Sequence, residues 1–206
     1  MKVIGISGSP RNNGNTSYLI QRALEDVEKY GIETKMVNLS DYTIADCIGC
    51  EGCKRTYSCV IKDDMQELYP LILQADALVL GSPTYFYDVT AIMKAFLDRM
   101  YCFEVFDDED RSVWISVNEA MGGKLASVIS VCEQEDDRDT GHAALTMKLT
   151  LQSLGYRVTD STEIINLFGR GEAAGNDKAV YLAMRNGQRL AKTLLLRNKI
   201  RSNINK

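Results

Sequence analysis

Four of the chain's six cysteines, Cys47, Cys50, Cys53 and Cys59, fall within thirteen residues. Their spacing, C-x2-C-x2-C-x5-C, wraps a short glycine-containing loop around one point and supplies four thiols, the set a cubane iron-sulfur cluster needs. Five residues precede the last cysteine and Val60 follows it, so a single four-cysteine site is simpler than a two-cluster arrangement. Two other uses of the thiols stay open. They could be unliganded or redox-switching, or they could hold structural zinc, whose usual pattern is two well-separated knuckles. A second constellation lies at the start of the chain, where Ser7-Gly8-Ser9-Pro10-Arg11 and Gly14-Asn15-Thr16-Ser17 separate a β-branched run from an amphipathic stretch. Such a loop can cradle a phosphate. Glycines admit a ligand close to the backbone, hydroxyl and amide side chains donate, and Arg11 adds a planar positive fork. No Gly-Lys-Ser/Thr triplet closes the loop and its glycine spacing misses the dinucleotide fingerprint, so a monophosphate fits best. A polar turn joining strand to helix is the plainer alternative.

Alternating strand and helix patterns must position these groups, which predicts an α/β fold with a parallel sheet and helices on both faces. Val3 to Ile6 reads as the first strand, Thr16 to Tyr30 as a helix stopped by Gly31, and Glu33 to Asn38 as the second strand. Asp41 to Lys62 has no clear periodicity and carries the cysteines. Asp63 and Asp64, with Gln66 and Glu67 three positions on, read as a capping box for the next helix. Ala75 to Gly81 is the third strand and ends at Ser82-Pro83-Thr84-Tyr85-Phe86-Tyr87. Ligands of open α/β sheets bind outside the strands' carboxyl ends, so this aromatic loop belongs beside the cradle; packing is the alternative for its rings.

A helix over Thr90 to Met100 follows, then a solvated acidic loop from Glu104 to Asp110 with Trp114 as a hydrophobic return. Leu125 to Val131 is strand four, and Cys132-Glu133-Gln134 leaves it toward the same crevice. His142 to Leu154 reads as a helix, Arg157 to Ile165 as strand five, and Asp177 to Leu196 as a closing helix with a frayed basic tail. The cradle, the aromatic loop and this turn together describe a site for a flat ring with a phosphate tail. Cys102 and Cys132 read as core, and His142, the single histidine, is assigned no catalytic duty.

The opening S-G-S-P-R-x-x-G-N-T, matched from Ser7 to Thr16, and G-S-P-x-Y, matched from Gly81 to Tyr85, resemble the flavodoxin-like NAD(P)H-dependent FMN reductase superfamily. The cysteine loop after strand two, followed by Val60-Ile61-Lys62-Asp63-Asp64-Met65, resembles its iron-sulfur flavoprotein branch. The resemblance, which runs from Lys2 to about Leu196, implies a flavodoxin-like doubly wound five-stranded sheet of order 2-1-3-4-5 with the loop at 41–62 inserted after strand two, and the chain's length predicts 1–206 as one domain. It also implies that Ser7, Ser9, Arg11, Asn15, Thr16 and Ser17 hold the FMN phosphate. Pro83, Thr84, Tyr85 and Phe86 would line the isoalloxazine, and Cys47, Cys50, Cys53 and Cys59 would bind a [4Fe-4S] cluster. No catalytic acid or base is needed, since hydride chemistry belongs to the flavin. After strand four the chain departs from that branch, with Val131 to Asp137 where a glycine-rich loop is usual.

The expected function is electron transfer between FMN and the cluster, with a redox partner protein or NAD(P)H on one side and a small-molecule acceptor on the other. The alternative is an NAD(P)H-dependent FMN or quinone reductase without a cluster. The resemblance further implies a homodimer or homotetramer. At 206 residues, 45% hydrophobic and with net charge -4, the chain offers no basic field for nucleic acid and no apolar run of roughly 20 residues to span a membrane. Met1-Lys2 leads straight into the first strand, which leaves no room for a signal peptide, so a cytoplasmic protein with reduced thiols is expected.

Overall fold

The computed structural model describes residues 1–204. The chain runs β1 (Lys2–Ser7), α1 (Asn15–Glu28), β2 (Glu33–Asn38), α2 (Met65–Gln74), β3 (Ala77–Pro83), α3 (Ala91–Arg99), β4 (Glu104–Phe106), β5 (Trp114–Ser116), α4 (Val117–Ala120), β6 (Lys124–Val131), α5 (Ala143–Ser153), β7 (Tyr156–Ile164) and α6 (Asp177–Ile204). Five strands form one parallel sheet in the order β2-β1-β3-β6-β7. The expected order 2-1-3-4-5 counted sheet strands alone; a separate hairpin, β4-β5, shifts the numbering without changing the arrangement.

Strand alternation builds a core on each face of the sheet. Ile4, Ile6, Leu78 and Leu80 point to the layer of α2, α3 and α5, where Leu68, Phe96 and Met147 meet them. Val3, Ala77 and Val79 point to α1 and α6, against Leu19, Leu24 and Leu190. With both faces covered, β1 and β3 are apolar almost throughout, as buried parallel strands are. A Cβ on Gly187 would sit 2.0 Å from the carbonyl oxygen of Ala23, so only glycine lets α6 lie this close to α1.

Three local expectations need correction. The acidic segment after α3 is not a simple solvated loop: β4 and β5 pair antiparallel around it, and Phe106 stacks between Tyr101 and Trp114 at ring distances of 5.7 and 6.2 Å. The final helix does not fray after Leu196. It continues to Ile204, where the side chains of Arg197 and Arg201 donate to the carbonyl of Gly122. Finally, Asp63 and Asp64 do not form the expected capping box. Asp64 stands at the N-cap without a side-chain cap bond and accepts from the Thr43 amide, while Asp63 pairs with Arg99 of α3. Cys102 and Cys132 are buried, and His142 precedes α5 without capping it by its side chain. Among the described residues no helix is long and apolar enough to cross a membrane.

Candidate functional site

The cradle leaves the carboxyl end of β1 and enters α1. Ser9 closes it locally: its hydroxyl accepts from the Arg11 amide at 3.2 Å. No side chain among the described residues caps α1, so the N–H groups of its first turn and the positive end of its dipole remain for an anion. Thr90 ties the cradle to α3 by donating to the Gly8 carbonyl at 2.6 Å, and the Gly8 amide donates to Gly81 at the end of β3. Two strand ends thus meet at one point, as expected for ligand binding at the carboxyl edge of such a sheet.

Ser9, Arg11, Asn15 and Thr16 gather with Pro83, Thr84 and Tyr85 around a cleft of about 60 Å3 that Glu133 and Phe168 complete. Ser7 and Ser17 do not line it, and their hydroxyls are bonded to each other at 2.8 Å. Leu167 and Phe168, absent from the residues singled out by sequence, belong to the site. Arg11 donates to the Phe168 carbonyl at 2.8 Å and stacks over its ring. Asn15 is committed to the same segment: its amide donates to Gly169 at 2.9 Å, and its oxygen accepts from the Ala173 amide at 3.1 Å. The available signal was positional, since Leu167 and Phe168 follow the carboxyl end of β7.

Beyond β3, Tyr85 and Asp88 exchange backbone hydrogen bonds around Phe86 and Tyr87, which have φ of 44° and 65°. Two successive left-handed residues make a turn that usually takes Asn-Gly, and bulky side chains there are strained. The rings are not packed away. Phe86 is 100% exposed, Tyr87 57% and Tyr85 46%, which rules out core packing as their role. The turn is held from behind, where the His142 amide donates to the Tyr87 carbonyl at 2.6 Å and Gly141, at φ 58°, leaves no room for a Cβ. Thr84, Phe86, Tyr87 and Glu133 line a second cavity of about 300 Å3. Phe86 therefore faces this space and not the smaller cleft.

The cysteine loop lies between β2 and α2. Cys47 and Cys50 are exposed, Cys53 and Cys59 half-buried, and a cavity of about 650 Å3 separates the loop from Leu97 and Tyr101 at α3 and Leu149 on α5. Burial pushes the Cys53 thiol up, and the nearby Cys59, Cys47 and Cys50 push it the same way. Four thiols on one loop are the donor type a thiolate-bound cluster takes, although burial works against the Cys53 thiolate. Among the described residues, however, no three metal-ligating side chains are drawn into a ligating group. The phosphate-flavin fit is more complete, because unbonded helix amides, a buried Thr16 hydroxyl and aromatic side chains meet at one edge.

The family described as NADPH-dependent FMN reductase matches residues 1–161. An iron-sulfur flavoprotein of Methanocaldococcus jannaschii is 48% identical over 99 residues, covering 48% of this chain and 51% of that protein. One from Archaeoglobus fulgidus is 46% identical over 100 residues, covering 48% and 46%. The chain spans about half the length of these curated relatives, and the matches bear out the resemblance read from the sequence. Among solved structures, a flavone reductase superposes with a TM-score of 0.69 at 19% identity, over 94% of this chain and 63% of that one. An archaeal flavodoxin gives 0.55 at 14% identity, over 94% and 99%. At such identities these two speak for the fold alone.

Proposed function

Because the chain belongs to the NADPH-dependent FMN reductase family, we propose that it is an FMN-dependent oxidoreductase that passes electrons between FMN and a [4Fe-4S] cluster. One observation carries the flavin half: the cradle at β1 and the Pro83–Tyr85 segment at β3 share a single cleft. Similarity to iron-sulfur flavoproteins over about half of the chain, together with four thiols on one loop, supports the cluster half.

Ser9, Thr16, Arg11 and the first-turn amides of α1 would bind the phosphate, Arg11 by exchanging its carbonyl partner for a charged one. Pro83, Thr84 and Tyr85 would orient the ring, and Phe86 and Tyr87 would rim the 300 Å3 cavity and limit water there. Cys47, Cys50, Cys53 and Cys59 would hold the cluster. Bound FMN would supply two-electron exchange with NAD(P)H or a small-molecule acceptor, and the cluster one-electron exchange with a protein partner. A homodimer or homotetramer belongs to the same reading, and exposed Leu145 and Leu149 on α5 offer it apolar surface.

A second reading, an NAD(P)H-dependent reductase without a cluster, is favoured by the thiols' not being drawn together. An anaerobic visible spectrum with iron and sulfide analysis decides between the two. Flavin bands above a broad shoulder with about four irons per chain support the first. Flavin without iron after reconstitution supports the second, and NAD(P)H turnover would then survive Cys50→Ser. A chain that takes up no FMN overturns both.

A further inference from the structure

Arg99, the last residue of α3, is 1% exposed, and its charge lies in the core layer beneath the cysteine loop. One terminal nitrogen donates to the Ala45 carbonyl at 2.8 Å and to Asp63 at 2.5 Å; the other donates to Asp63 at 3.0 Å and reaches the Ile61 carbonyl at 3.5 Å. Asp63 in turn accepts from the amides of Ala45, at 2.8 Å, and Met65, at 3.1 Å. Ala45 precedes the first cysteine of the loop by two residues, and Ile61 follows the last by two. A single side chain therefore grips the segment before the four cysteines and the segment after them. Gln66 reinforces the exit by donating to the carbonyls of Cys59 and Ile61 at 3.0 and 2.6 Å. The Nε–H of Arg99 is buried and has no partner among the described residues.

We propose that Arg99 is the positioning residue of the cysteine site: it clamps both stems of the loop and stands beside Cys59 as a fixed positive charge. An arginine guanidinium keeps its proton throughout the accessible pH range, so the charge is permanent. A planar fork can bridge two carbonyls and a carboxylate at once, whereas an ammonium cannot. A positive charge close to one thiolate favours the more negative, reduced form of whatever the thiolates bind, which raises its potential. This last step rests on the cluster reading above; the clamp does not.

The test uses the full chain with Arg99→Gln, Arg99→Lys and the double variant Arg99→Gln/Asp63→Asn. The double variant removes both buried charges together and keeps the test open if the single glutamine variant does not fold. Each folded variant is digested with trypsin, timing cleavage after the exposed Lys54 and Arg55 inside the loop, and the midpoint potential of its reconstituted cluster is measured. Cleavage five-fold or more faster is expected in all three, with a lower potential in Arg99→Gln and its recovery in Arg99→Lys. A folded double variant with the wild-type cleavage rate overturns the clamp, and a folded Arg99→Gln with the wild-type potential overturns the charge's role. If wild-type protein takes up no iron on reconstitution, the cluster reading fails by itself. The cleavage rates then still decide the clamp, and unchanged rates overturn it.

Discussion

The guanidinium of Arg11 rests 5.4 Å from the centroid of the Phe168 ring and donates to the Phe168 backbone carbonyl. The side chain expected to meet phosphate is thus held by the far end of the chain, on a partner that is neutral and easily exchanged for an anion. Charge-assisted bonds of this kind contribute about 1.5–3 kcal/mol, so Arg11→Ala is expected to weaken FMN binding by roughly 10- to 100-fold. Riboflavin, which lacks the phosphate, should lose far less. Fluorescence titration of apoprotein with both flavins measures the difference; equal losses would mean that Arg11 acts through Phe168.

The turn at Phe86 and Tyr87 carries strain that its sequence does not relieve. A left-handed non-glycine residue costs on the order of 1–3 kcal/mol, and Asn-Gly is the pair that suits such a turn. Phe86→Asn/Tyr87→Gly is therefore expected to stabilise the protein by about 1–2 kcal/mol, a few degrees in melting temperature, while lowering turnover by removing both exposed rings. Thermal unfolding and steady-state rates on the same preparation check both signs. A more stable variant with undiminished turnover would leave the aromatic rim without a role.

The cradle and the Pro83 loop were legible because their signals are local: a β-branched run, a break of Gly, Ser and Asn, and an apolar stripe. What was missed depends on partners distant in sequence. Asp63 sits in a good capping pattern, yet Arg99, 36 positions away, takes its carboxylate, and no local rule anticipates a buried counter-charge. Phe106 and Trp114 flank an acidic run whose charge obscured the alternation of a hairpin. Leu167 and Phe168 carry no donor that would single them out, and only their place after β7 brings them to the cleft. Helix α6 outruns its expected end because Arg197 and Arg201 reach back to the Gly122 carbonyl.

The Asp63–Arg99 pair also sets a pH dependence. Burial pushes the Asp63 carboxyl up, but the Arg99 guanidinium and the amides of Ala45 and Met65 outweigh it and hold the group below the usual carboxylate range. A carboxyl depressed on folding stabilises the protein above its unfolded value of about 3.9 and loses that contribution as pH falls through the folded value. Asp63→Asn leaves the Arg99 charge without its partner and should cost about 3 kcal/mol at pH 7. Its stability should then fall less steeply than that of the wild type below about pH 4. Urea unfolding at pH 7, 5, 4 and 3 gives both quantities, and parallel losses on acidification would show that other carboxylates control the slope.

Asn15 distinguishes a phosphate ligand from a tether. The resemblance assigns it to the phosphate, yet its amide donates to Gly169 and its oxygen accepts from Ala173, so both ends join α1 to the segment before α6. It is 8% exposed, which makes each unsatisfied partner costly, about 1–3 kcal/mol. Asn15→Asp keeps the shape but turns the donor end into a second acceptor facing a carbonyl. A tether so broken frees Phe168, and with it the partner of Arg11 and one wall of the cleft, so FMN and riboflavin should weaken together by about ten-fold. A phosphate ligand so changed would repel FMN alone. Titrating Asn15→Asp and Asn15→Ala with both flavins separates the two roles, because the tether predicts parallel losses in both variants and the ligand predicts a loss confined to FMN and larger for the aspartate.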